Sequence, residues 1–166
     1  QNETANLILT AYAQRFEKSG ISCEIKFVLG RDIRISSVDM CIILANALEN
    51  AINACKLVQT ARTSINNSYS SISDTASDYN SGCTSDYGEV NSNRIITVKV
   101  FDKNNKLCIN ITNTYAVEPV FVNNTPVSDK AGHGIGIRSI ISVIEKYNGV
   151  YDFFTEDGVF YFQACI

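Results

Sequence analysis

Ile42-Ile43-Leu44-Ala45-Asn46-Ala47-Leu48-Glu49-Asn50-Ala51-Ile52-Asn53-Ala54-Cys55 is the stretch that decides how this chain folds. On a 3.6-residue period, Leu44, Ala47, Leu48, Ala51, Ile52 and Cys55 share one helical face. Asn46, Glu49, Asn50 and Asn53 share the opposite one, at spacings i, i+3, i+4 and i+7. No Lys or Arg interrupts that polar line, as it usually would on an ordinary solvated face. A row of side-chain oxygens beside a core helix suits a hard cation and the phosphates it bridges.

Outward from this helix, the chain divides into short regular elements. Ser36 and Asp39 have the spacing of a capping box, so the helix starts there and runs to about Val58. Before it, Thr4–Lys18 reads as a helix stopped by Ser19-Gly20, and Ser22–Leu29 alternates as a strand. After it, 21 of the 37 residues in 57–93 are Ser, Thr, Asn or Asp, too few apolar groups to offset the entropy of ordering. That segment is expected to be a flexible surface insertion. Arg94–Phe101 and Lys106–Thr112 form an expected hairpin, turned at Asn104-Asn105. Tyr115–Ala131, with two prolines, reads as a loop. Gly134–Asn148 is a second amphipathic helix, and Val150–Thr155 and Val159–Ile166 are strands joined through Glu156-Asp157-Gly158. The order predicts an α/β sandwich: one mixed, mostly antiparallel sheet with helices packed on one face.

Composition narrows the function. At 166 residues and 45% hydrophobic, the chain suits one domain with a true core. A net charge of -3 offers no basic field for nucleic acid. The longest apolar run, Met40–Ala45, falls far short of the roughly 20 residues of a membrane span, so no direct membrane contact is expected. The absence of an opening Met or signal peptide suggests a fragment of something longer. Six scattered cysteines lack CxxC or Cys/His spacing and are expected to be reduced, with Cys41, Cys55 and Cys108 acting as small hydrophobes.

The second chemical signal is Gly132-His133-Gly134-Ile135-Gly136, which enters a helix directly. Alternate glycines let backbone approach a phosphate, and free N–H groups at a helix start bind anions. The pattern is neither a dinucleotide fingerprint nor a P-loop, because no strand immediately precedes it and no GxxxxGK[ST] occurs.

Together, Leu44–Ala54 and Gly132–Gly136 resemble the N box and the second glycine box of the GHKL superfamily, whose members include gyrase, heat-shock chaperone, histidine kinase and MutL-type ATP-binding domains. The step Lys130 through Gly136 and the later Glu145-Lys146-Tyr147-Asn148-Gly149 resemble agr-type quorum-sensing histidine kinases in particular. The resemblance is specific over 36–56 and 94–166 and looser over 1–35. It implies a two-layer Bergerat-type sandwich over 21–166, with 1–20 closing an upstream dimerisation or linker helix. It implies ATP and Mg²⁺ as cofactors, with Asn50 as the metal ligand. Asn46 stands where hydrolytic members carry a water-activating Glu; lacking a basic lone pair, it disfavours hydrolysis but not transfer to a histidine. Glu49 would orient the acceptor.

The family at large places Asp-x-Gly-x-Gly where this chain has Asn113-Thr114-Tyr115. By resemblance, the amide oxygen of Asn113 accepts the adenine amine's hydrogen bond. Asn46, Asn50, Asn53, Asn113, Lys130, Gly132, His133, Gly134, Ile135 and Gly136 are thus the implied nucleotide contacts. His133, the only histidine, shapes the glycine step and is not the phosphoacceptor. The implied partners are a response regulator and the chain's own upstream phosphoacceptor hairpin, in the cytoplasmic part of a bacterial membrane-anchored sensor. The alternative reading is a non-catalytic GHKL module that binds nucleotide or a partner.

Overall fold

The computed structural model describes residues 3–30, 35–70, 94–127 and 134–166. Helix α1 (Glu3–Lys18) leads into strand β1 (Ser22–Val28), and helix α2 (Ser37–Ser70) follows. Strands β2 (Ile95–Lys103) and β3 (Lys106–Thr114) form a hairpin, and the short strands β4 (Val120–Val122) and β5 (Thr125–Val127) form another. Helix α3 (Ile135–Lys146) and strands β6 (Val150–Glu156) and β7 (Val159–Cys165) complete the chain. The main sheet has the order β1-β2-β3-β7-β6, parallel only between β1 and β2. Helices cover one face, as the element order implied.

The core explains why α2 is oriented as it is. Met40, Ile43, Leu44, Leu48 and Ile52 are fully buried, packed in one cluster with Ile96, Val98, Ile109 and Ile111 of the sheet. At roughly 1.5–3 kcal/mol per buried side chain, turning this face to water would cost on the order of 10 kcal/mol. The Asn line is therefore held on the other side. Although Ser37–Val58 has the length and mean hydropathy (1.3) of a membrane span, these side chains lie inside the domain.

The expected capping box forms and does more than cap. Ser36 Oγ accepts from the Asp39 N–H at 3.1 Å and donates to Asp39 Oδ2 at 2.6 Å. The same oxygen accepts from Lys146 Nζ at 2.7 Å and from the Tyr147 hydroxyl at 2.6 Å. These bonds, led by that from Lys146, hold the Asp39 carboxyl down at about 2. The start of α2 is thereby fastened to the end of α3, which fixes the two helices that frame the site.

Three expectations need correction. Helix α2 does not end near Val58 but runs on to Ser70. Nucleation is the costly step, and a formed helix propagates through a polar stretch containing no Gly or Pro. The rest of the expected insertion, 71–93, lies outside the described residues. Second, Cys108 is disulfide-bonded to Cys165. The β3–β7 register sets them directly opposite, with Cα atoms 4.3 Å apart across 57 residues of sequence. Third, 115–131 is not all loop, because β4 and β5 pair across Asn123-Asn124, both at positive φ (50° and 58°).

Candidate nucleotide-binding site

The polar side of α2 forms one wall of a cavity of about 330 Å³. Asn46, Glu49 and Asn50 line it, and Ala54 and Leu57 continue the wall. Gly134, Gly136 and Ile137, at the start of α3, stand opposite. Asn113 and Phe160, register partners on β3 and β7, close one end, where Tyr115 and the β5 residues Pro126 and Val127 add apolar cover.

Six of the anticipated residues therefore meet in one place: Asn46, Glu49, Asn50, Asn113, Gly134 and Gly136. Two others do not line it. The α2 wall follows the i, i+4 row through 46, 50 and 54, which leaves Asn53 exposed beside it. Ile135, 69% exposed, is also off the wall. Lys130, Gly132 and His133 lie outside the described residues.

The two described glycines of the step are required for different reasons. Gly134 is the N-cap of α3 at φ 103°, in the left-handed region, and no side chain caps the helix there. Among the described residues no side chain caps the first N–H groups of α3, the arrangement that receives an anion. Gly136 provides space: a Cβ there would stand 2.9 Å from Asn46 Oδ1. Asn46 is fixed in turn, since its Nδ2 donates to the Ile42 carbonyl at 2.8 Å. Its oxygen end therefore faces the glycine step. Asn50 is exposed, and its amide has no partner among the described residues.

At the closed end the amide of Asn113 is also oriented. The residue is 4% exposed, and its Nδ2 donates to the Thr114 carbonyl at 3.0 Å. The reverse orientation would set two oxygens against each other, so Oδ1 is the end left to accept. The Thr114 carbonyl also accepts from Cys55 Sγ at 3.4 Å. Tyr115 donates its hydroxyl to Glu118, and Thr155 Oγ1 donates to the other Glu118 oxygen at 2.8 Å. Burial, then the neighbouring Glu118, pushes the Tyr115 phenol up to about 12, so it stays a neutral donor. Residues 115–118 are in this way pinned to β6.

Sequence reasoning missed Tyr115, Pro126, Val127 and Phe160 as wall residues. It also missed the setting of Glu49. Arg15 of α1 grips that carboxylate with both nitrogens, Nη1 to Oε2 at 2.8 Å and Nη2 to Oε1 at 3.2 Å. Tyr12, also on α1, donates to the Ala45 carbonyl at 3.1 Å.

The fold is one shared with histidine kinase catalytic domains. The nucleotide-free catalytic domain of histidine kinase ThkA superposes with a TM-score of 0.59 at 13% identity, over 99% of this chain and 91% of that one. The mycobacterial sensor histidine kinase MprB gives 0.56 at 12%, over 99% and 93%. Histidine kinase AdeS of Acinetobacter baumannii gives 0.56 at 11%, over 99% and 62%. A family profile, the GHKL domain, matches residues 82–166, so the chain belongs to the GHKL domain family. GHKL domains bind ATP, generally with Mg²⁺. No curated protein matches the chain.

Proposed function

We propose that this domain is the ATP-binding catalytic part of a sensor histidine kinase of the agr-type quorum-sensing group, cytoplasmic and joined to a membrane-anchored sensor. It serves a histidine on an upstream helical hairpin, and a response regulator then receives the phosphoryl group. The observation that carries this reading is the meeting of two elements across one cavity. The start of α3, opened by Gly134, faces Asn46 Oδ1 and, along the same cavity wall, the Asn50 side chain of α2.

The residues suit the ligand. Mg²⁺ is held by few protein oxygens together with substrate phosphates and water, and Asn50 offers a neutral amide oxygen that has no partner among the described residues. The metal would supply neutralisation of phosphate charge. The chain's own groups do the positioning: Asn113 Oδ1 accepts from the adenine amine, the α3 N-terminus receives phosphate oxygens, and the apolar end around Phe160 excludes water from the base. Asn46 has no basic lone pair, so water is not activated there, whereas a neutral imidazole is already nucleophilic. Lys130, Gly132 and His133 extend the glycine step in this reading.

Phosphoryl transfer from radiolabelled ATP tests it. The chain alone is expected to stay unlabelled and to release little phosphate, while a longer protein carrying the upstream hairpin labels on histidine. Label on the isolated chain, or rapid steady-state phosphate release, would overturn the assignment.

A further inference from the structure

The start of α3 attracts anions, yet Glu49, a carboxylate, lines the same cavity one helical turn from Asn46. A fixed negative charge there opposes any ligand that brings phosphates. The fold answers it from α1, more than thirty residues earlier in sequence. Arg15 engages both Glu49 oxygens, at 2.8 and 3.2 Å, and its guanidinium lies 4.8 Å over the Tyr12 ring. The Tyr12 hydroxyl donates to Ala45 and sits 3.5 Å from Glu49 Oε2, holding α1 in place against α2. The Arg15 and Glu49 side chains are 45% and 41% exposed, so the pair adds little to stability. What it changes is the charge at the cavity mouth.

Building on the proposed ATP site, we propose that Arg15 is a positioning residue for nucleotide phosphates. It holds and neutralises the Glu49 carboxylate, so the cavity binds a polyphosphate more tightly while α1 is docked on α2. The effect must scale with the number of phosphates, which a merely structural role would not produce.

The test is calorimetric titration of the whole chain with ATP, ADP and adenosine, for wild type, Arg15→Met and Arg15→Met/Glu49→Gln. Arg15→Met is expected to weaken ATP by about five- to tenfold, ADP by about two- to fourfold and adenosine by less than about twofold, with the ATP loss shrinking at high salt. Adding Glu49→Gln should restore ATP binding to near the wild-type value. Equal losses for all three ligands, no loss, or no rescue by Glu49→Gln would each overturn the role of Arg15 while leaving the nucleotide site standing. Failure of the wild-type chain to bind ATP would instead remove the site itself, and the inference with it.

Discussion

The two ends of the cavity are built on opposite principles. At the closed end, Asn113 is buried, its amide is tied to Thr114, and Phe160 and Tyr115 stand around it on strands already paired in the sheet. At the open end, Asn50 is exposed and without a partner among the described residues, and α3 begins at a glycine with no side-chain cap. Recognition at the first end is part of the folded core. At the second it rests on groups that have no partner among the described residues. Substitutions should therefore separate: at the open end, apart from the left-handed backbone of Gly134, they remove binding alone, and at the closed end they remove binding and stability together.

The largest effect is expected at Gly136. Gly136→Val would drive a side chain into Asn46 Oδ1, reducing Mg·ATP affinity by about a hundredfold if both helices are needed for the phosphates. Melting should change by no more than about 1 kcal/mol, because a helix-interior glycine is itself unfavourable. Asn113→Leu should behave otherwise. It removes one of two side-chain donors to the Thr114 carbonyl, the other being Cys55 Sγ, costing about 1 kcal/mol in denaturant unfolding, and should lower ATP affinity about tenfold. Gly134→Ala places a Cβ in the left-handed region at φ 103° and should cost about 1–2 kcal/mol, measured the same way.

The smallest effect concerns the joint between the helices. The Asp39 carboxyl titrates at about 2 instead of its ordinary 3.8, held there chiefly by Lys146, with Ser36 and Tyr147 adding hydrogen bonds. A lowered pKa gives stability that is complete above the ordinary value and lost as pH falls through the folded one. The melting-temperature gap between wild type and Asp39→Asn should accordingly be constant near neutrality and close between pH 3.8 and 2.

Much of the open end was legible in the sequence, because helical periodicity sets both the buried face of α2 and the line opposite it. Asn46, Glu49 and Asn50 could be read from spacing alone, and Gly134 and Gly136, though not Ile135, from the demand of a helix start. The same method overreached at Asn53. Periodicity gives a face, but the opposing α3 and β5 decide how wide a strip of it they enclose. Features that depend on strand register were not legible. Cys108 and Cys165 meet only because β3 and β7 pair in one register, and Phe160 reaches the site only as the partner of Asn113. The β4–β5 hairpin did carry a signal: Asn123-Asn124 repeats the left-handed pair seen at Asn104-Asn105, where φ is 52° and 63°. Strands of three residues are too short for alternation to show. The Arg15–Glu49 pair needed the packing of α1 on α2, which no local pattern encodes.

The exposed Asn50 amide of α2, which has no partner among the described residues, is the group assigned to a metal-bound triphosphate. Calorimetric titration of Mg·ATP into the wild-type chain and into Asn50→Ala tests that assignment most directly. Saturable binding to wild type is expected, weakening about ten- to a hundredfold on removing either Mg²⁺ or the Asn50 amide, with both proteins melting alike. Equal binding to both proteins, or none by a folded wild-type chain up to millimolar ATP, would contradict it and favour a GHKL module that docks a partner without nucleotide chemistry.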